Sequence, residues 1–237
     1  MRHYLALTPA EEDALARLEE HERKLPRGAV VRREHDRARE LFVLRKGWIY
    51  SSVGLDDGSR QILKLSFPGD LLGHSVIAFS DAPDTLCALT DVTICPFDRL
   101  ELRNLFERHP RLAALIMAVM QAEQVALTDR LASLGRTSAR ARVAALLLDI
   151  LTRLRLMKPD QHRDSFPLTL TQEQIGDATG LTAVHVNRMI RSLEEEGLIR
   201  RGGGAMRILD EQRLTGLANY IDRSAEIDTS WLPNSTA

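Results

Sequence analysis

The chain has 237 residues, 44% of them hydrophobic and 27% charged, which allows two modest domains with real cores and not three. A formal net charge of −1 excludes nucleic-acid binding by overall charge, so any such contact must come from a local surface. Two cysteines cannot by themselves make a zinc or iron–sulfur site, so no metal or cofactor is expected.

The start MRHYLALTPAEED has no apolar secretory core, and the longest apolar run, around residues 112–120, falls short of a bilayer. A cytoplasmic location without membrane association is expected. Thr8-Pro9-Ala10-Glu11 is a capping box with proline at the first helical position. It predicts a helix to about Lys24, stopped by Pro26 and Gly28. From Ala29 onward short apolar runs alternate with turn signals. The runs are Val30-Val31, Leu41-Phe42-Val43-Leu44, Trp48-Ile49-Tyr50, Ile62-Leu63-Lys64-Leu65, Leu71-Leu72, residues 86–89 and residues 92–97. Between them stand Lys46-Gly47, Asp56-Asp57-Gly58, Pro68-Gly69-Asp70 and Ala82-Pro83-Asp84. This spacing predicts a β-sandwich or jelly-roll barrel of about 70 residues. With a turn at Thr90-Asp91, Cys87 would lie opposite Ile94, which points Cys87 and Cys95 to opposite faces and predicts two buried thiols.

The period then becomes helical. Residues 98–106 form a short helix broken by His109-Pro110, and residues 111–134 form one long helix. Its apolar positions include Leu112, Leu115, Ile116, Val119 and Ala126, a stripe too long for one small domain to cover. A homodimer seam is the expected use, and packing on its own barrel is the alternative. Gly135 is expected to end this helix and act as a hinge. Residues 138–156 form another helix with Val143, Leu146, Leu147, Ile150, Leu151 and Leu154 inward, followed by a polar loop at 158–165 and a short strand at 166–169.

In residues 170–201, Thr171 with Gln174 makes a second capping box, Gly176 allows close helix crossing, and Gly180 supplies a left-handed turn. Thr182 caps a second helix whose inner side holds Val186, Met189, Ile190 and Leu193. Val184, Asn187, Arg188 and Arg191 lie on or beside the other side, where arginine and asparagine donors suit base edges in a major groove. The pattern predicts a helix-turn-helix, with a two-helix corner of a helical domain as the bland alternative. Leu198-Ile199, a turn over residues 200–204, and residues 206–209 predict a wing hairpin whose Arg200 and Arg201 reach phosphates. Thr171, Gln172 and Thr182 sit at helix N-termini suited to phosphate contact. Residues 136–210 carry twelve basic against nine acidic side chains, a local excess in the direction DNA requires. Asp210 caps a last helix to about Ile221.

The expected fold class is α+β. Residues 1–110 are expected to form a jelly-roll domain, 111–135 a dimerisation helix, 136–222 a winged helix-turn-helix domain and 223–237 a flexible tail. In this order, and in Glu40-Leu41-Phe42-Val43-Leu44 with Gly47, Asp57-Gly58, Phe67-Pro68-Gly69-Asp70 with Gly73, and Val186-Asn187-Arg188, the chain resembles the CRP/FNR superfamily of bacterial transcription regulators. The resemblance spans about residues 25–215. It implies a homodimer bound to palindromic double-stranded DNA, with RNA polymerase as a partner and a sensory barrel resembling a cyclic-nucleotide-binding domain.

Several positions depart from the family. Where cyclic-AMP-responsive members carry a ribose-binding glutamate and a phosphate-binding arginine, the matching residues look like His74 and Asp84, so cyclic AMP is not expected as effector. The effector region implied is Gly69, Asp70, Gly73, His74, Ser75, Asp84 and Thr85. Oxygen-sensing members hold a cluster with N-terminal cysteines, and residues 1–30 have none. A haem sensor would need a ligand such as His74 or Cys87. The chain resembles FixK-like and related members, which have no known ligand motif. On the DNA side Arg188 keeps the family's shared arginine, while Val184 replaces a glutamate and Ala183 and His185 flank it, so the family half-site does not transfer.

Two other classes compete. A cupin-like metal enzyme would need clustered ligands, and the seven histidines are scattered with no His-x-His pair. A protein-binding adaptor would lack salt-dependent affinity for random DNA.

Overall fold

The computed structural model describes residues 4–233. The chain forms two compact units, one comprising the N-terminal segment through Val53, Leu63–Glu123 and the chain from Ile227, the other Gly54–Ile62 and Gln124–Glu226.

In the first unit α1, Pro9–Arg17, is capped by Thr8 through the expected box with Glu11. It ends at Arg17, seven residues short of the expected Lys24. Leu18 is the last apolar residue it can bury, and the polar stretch that follows gives a longer helix nothing to pack. Arg23–Leu25 instead forms strand β1. The remaining barrel strands are β2 (Val30–Arg32), β3 (Glu40–Lys46), β4 (Ile49–Gly54), β5 (Arg60–Ser66), β6 (Leu71–Leu72), β7 (Thr85–Ala88) and β8 (Val92–Asp98). They make two four-stranded sheets, β1-β8-β3-β6 and β2-β7-β4-β5, the expected jelly roll.

Strand β3 reads as continuous apolar sequence because both of its faces are covered. Phe42 and Leu44 join Ile49, Leu86, Ala88 and Ile94 between the sheets, while Leu41 and Val43 pack with Cys95, Phe97 and apolar residues of the helices. Cys87 does not lie opposite Ile94. The chain crosses from one sheet to the other at Leu89–Asp91, with Leu89 N–H bonded to Trp48 O (2.8 Å), so β7 and β8 never pair. Cys87 stands opposite Val30 and Tyr50, Cys95 opposite Val43, and both thiols are free and buried.

Helix α2, Arg99–Arg108, starts on an Asp98–Glu101 capping box, and α3 runs from Pro110 to Arg136. Gly135 lies inside α3 and does not end it, because Ser138 in extended conformation caps the next helix and sets the break after Arg136. Leu112, Leu115 and Ile116 are fully buried, two of them in the barrel core, so these three are not part of a seam. Val119 is half-buried and Ala126 exposed, both on the side of the helix that carries buried Leu112 and Leu115, whereas Met117, Val125, Leu127 and Leu131 are exposed on the opposite side, interleaved with Gln121, Gln124 and Thr128. Periodicity marks an apolar face without saying what covers it.

By length and composition α3 is the one described helix that could cross a bilayer, which the short apolar run understated. Two of its charges are held by protein partners: Glu123 by Lys64 at 2.6 Å and Asp129 by Arg223 at 2.7 Å.

The second unit is built on α4, Ala139–Met157, which is buried along most of its length by the six expected residues together with Ala141, Ala144 and Leu148. Around it stand β9 (Ser165–Pro167), α5 (Gln172–Thr179), α6 (Ala183–Glu195), β10 (Ile199–Gly202), β11 (Ala205–Ile208) and α7 (Glu211–Ala218), with β10-β11-β9 as a small sheet. α7 ends at Ala218 and not Ile221, because Asn219 takes a left-handed cap at φ 48°. The expected tail is folded as far as it is described. Arg223–Glu226 forms a 3-10 turn anchored by Arg223 on Asp129, and Leu232 is buried. Residues 234–237 of that tail lie outside the described residues.

Candidate nucleic-acid interface

Helix α5 opens on Thr171, whose hydroxyl accepts from Gln174 N–H (3.1 Å) while Gln174 Oε1 accepts from Thr171 N–H (2.9 Å). Gly180, at φ 66°, makes the turn, and Thr182 caps α6 by accepting from His185 N–H (3.3 Å). A Cβ on Gly176 would lie 2.3 Å from the Leu181 carbonyl oxygen, so the turn between the helices can fold back this closely on α5 only at glycine. Backbone cannot yield as a flexible side chain would. Gly176→Ala is therefore expected to cost about 1–3 kcal/mol, read as a lowered melting temperature, with specific DNA affinity reduced in parallel. An unchanged melt would mean that α5 and α6 can separate freely.

Val186, Ile190 and Leu193 are buried between the helices with Ile175, and Met189 is half-buried. Thr182, Ala183, Val184, His185, Arg188 and Arg191 face outward, Val184 at 78% exposure. Neither Arg188 nor Arg191 makes a hydrogen bond or ion pair among the described residues. The expected DNA face is thus assembled on one side of α6, except that Asn187 is half-buried and engaged by neighbours.

The wing differs from expectation. Its turn is only Gly203-Gly204, both left-handed (φ 58° and 76°), which suits a two-residue hairpin. Arg200 and Arg201 consequently sit in strand β10. Arg200 is exposed, but Arg201 is held by Glu194, with Nη2 at 2.7 Å from Oε2 and the backbone N–H at 2.9 Å from Oε1. The Arg201 guanidinium keeps the Glu194 carboxyl below the usual carboxylate range. Arg201 Nη1 also donates to Asn187 Oδ1 (3.5 Å), which accepts from Gln172 Nε2 (3.3 Å) as well.

The C-terminus of α5 has a set of anchors that periodicity did not reveal. Gln61 Nε2 donates to Asp177 O (2.5 Å), Arg130 Nη2 to Ala178 O (2.6 Å), and Arg142 Nη1 to Thr179 O (2.8 Å). Arg130 also donates to Ile62 O (2.9 Å), and Arg60 Nε binds the Asp177 carboxylate at 2.6 Å. These are the carbonyls a helix leaves unpaired at its end. The available signal was a charged residue at position 130 within an apolar helix.

In the barrel, Arg32 gathers the effector-region residues. Its guanidinium pairs with Asp84 at 3.2 Å and reaches Ser75 Oγ (3.4 Å) and Gly73 O (3.5 Å), with the two charged side chains 7% and 19% exposed. Gly73, at φ 69°, leaves the room this needs, since a Cβ there would meet Arg32 Nη1 at 2.7 Å. Thr85 Oγ1 accepts from Glu34 N–H (3.0 Å). Gly69 and Asp70 serve the Phe67–Asp70 turn, where the Asp70 carboxylate accepts from Phe67 N–H (2.9 Å). Burial, followed by the Lys64 ammonium, holds His74 below the ordinary histidine value. The cations of this region, Arg32 and Lys64, each face an acid of the protein, so the residues do not fit a cyclic phosphate. Arg32 was not singled out by the sequence, although an arginine ending an apolar strand was a usable signal.

A jelly roll, a long helix and a winged helix-turn-helix with arginines open on its second helix define a DNA-binding regulator with a sensory-type domain. Residues 22–109 match the cyclic nucleotide-binding domain family and residues 141–217 the Crp-like helix-turn-helix domain family. Nitrogen fixation regulation protein FixK of Bradyrhizobium diazoefficiens is 31% identical over 191 residues, covering 81% of this chain and 79% of that protein. Transcriptional activatory protein AadR of Rhodopseudomonas palustris is 31% identical over 213 residues, covering 90% and 87%. The solved structure of FixK2 from Bradyrhizobium japonicum matches with a TM-score of 0.75 at 25% identity, covering 83% of this chain and 96% of that one. The chain belongs to the CRP/FNR family and is a DNA-binding transcription regulator.

Proposed function

We propose that the protein acts in the cytoplasm as a homodimer on palindromic promoter DNA, where it engages RNA polymerase, and that it is not an enzyme. The exposed apolar side chains Met117, Val125, Leu127 and Leu131 of α3 support pairing of two copies, and a two-fold reader suits half-sites centred about 10 base pairs apart. The observation that carries the reading is Arg188, exposed and unpaired at the middle of the outward face of α6. Its planar donors suit guanine O6 and N7, while Val184, which has no donor, suits a thymine methyl. Ala183, His185 and Arg191 border that face. Thr171, Thr182 and Arg200 suit phosphates, which set register without reading sequence.

The test is selection of bound sites from random DNA, followed by affinities for every single-base variant at fixed salt. Arg188→Ala should remove discrimination at one guanine per half-site, a loss of about 1–3 kcal/mol there. Arg200→Ala should weaken all sequences alike and reduce the salt slope by about one. A flat loss for Arg188→Ala would make it a phosphate contact. No enrichment by the wild-type protein would sink the reading.

A further inference from the structure

We propose that Asn187 is a specificity-determining residue whose amide is fixed by Arg201 and Gln172, so that it offers the groove donors only and selects a base acceptor. This rests on the DNA-reading face described above.

The chemistry of Arg201 settles which way the amide faces. A guanidinium has five N–H donors and no acceptor, so the Asn187 atom facing Nη1 at 3.5 Å must be the oxygen. Gln172 Nε2 donates to that same oxygen at 3.3 Å, which occupies both lone pairs of Oδ1. Arg201 is itself immobilised from its other side, where Glu194 takes its backbone N–H, Nε and Nη2. The Glu194 carboxyl, held below its ordinary range by this contact, stays ionised near neutral pH and keeps the guanidinium in place. What remains is Nδ2, with no hydrogen-bond partner among the described residues.

This arrangement has a consequence for base choice. Asparagine recognises adenine in the major groove by donating to N7 and accepting from N6–H. With both lone pairs of Oδ1 taken, the acceptor half of that pattern is absent, so adenine N7 can still accept from Nδ2 but the adenine amino group is left without an acceptor. Guanine offers acceptors at N7 and O6, and thymine one at O4. Asn187 should therefore prefer guanine or thymine and discriminate against adenine and cytosine. Arg201, expected from the sequence at a phosphate, becomes a positioning residue, and Gln172 likewise acts through Asn187.

The experiment uses the full-length protein and its selected operator. Asn187→Ala first identifies the base pair whose preference it erases, which should carry guanine or thymine on the strand read. Arg201→Ala should flatten preference at that same base pair, by about fivefold to 100-fold, with the Arg188 position and the salt slope unchanged. Gln172→Ala, at an exposed position where folding is not at stake, should relax the same base pair more mildly. Wild-type preference for adenine at the Asn187 position would overturn the proposal. So would an equal loss across all operator variants for Gln172→Ala, or for Arg201→Ala with a salt slope lowered by about one. Failure of the wild type to select any site is a separate result, which would sink the DNA-reading function itself.

Discussion

Asp84→Ala should melt far below the wild type, by the equivalent of about 3–5 kcal/mol, because it leaves a buried guanidinium without its counter-charge. Arg32 is 7% exposed at its side chain, and its remaining contacts, Ser75 Oγ and Gly73 O at 3.4 and 3.5 Å, are neutral acceptors. Water cannot readily replace the carboxylate at such a site. For a chain of this size each kcal/mol moves the melting temperature by about 2–4 °C, so the shift is large enough to read directly. The diagnostic comparison is the double variant Arg32→Leu with Asp84→Ala. Replacing both charges with apolar groups should recover most of the loss, since a buried ion pair adds little over well-packed apolar residues. If the single variant melts like the wild type, the pair is wet and Asp84 is available to a ligand.

The second large effect concerns α3. Met117→Glu with Leu131→Glu places two carboxylates, two heptads apart, on the side of α3 where apolar residues are exposed. A charge in an apolar seam without a partner is costly, so the variant should sediment as a monomer. A monomer has half of the sequence-specific contacts. If the specific increment is about 4–10 kcal/mol, losing half of it weakens operator binding by about thirtyfold to several-thousandfold. The protein itself should remain folded, because neither position belongs to the barrel core. Sedimentation as a dimer, with operator affinity unchanged, would place the seam elsewhere.

Local chemistry was legible in the sequence, and the choice of long-range partner was not. The boxes at Thr8 and Thr171 and the turn at Gly180 depend on residues three or four apart, so their spacing suffices to specify them. The outward face of α6 was legible for the same reason, since one helix fixes which side chains share a side. Residues 89–91 were not, because a polar turn reads alike whether it closes a hairpin or crosses between two sheets. Leu112 and Leu115 were assigned to a seam because an apolar face looks the same against a barrel as against a second copy. Glu194 was not legible as the partner of Arg201, because it lies on a different element, across a turn whose length the sequence left open.

The three carbonyls at the end of α5 make that helix a body on a three-point mount. Gln61 comes from β5, Arg130 from α3 and Arg142 from α4, and each grips a different residue in the last turn. Two supports would leave an axis about which α5 could rock, and the third removes it. The turn into α6 packs on α5 where Gly176 meets the Leu181 carbonyl, so a change in the tilt of α5 is passed to the start of α6. One support is shared: the Arg130 guanidinium holds Ile62 O and Ala178 O at once, so the start of β5 and the helix cannot shift apart without breaking a bond.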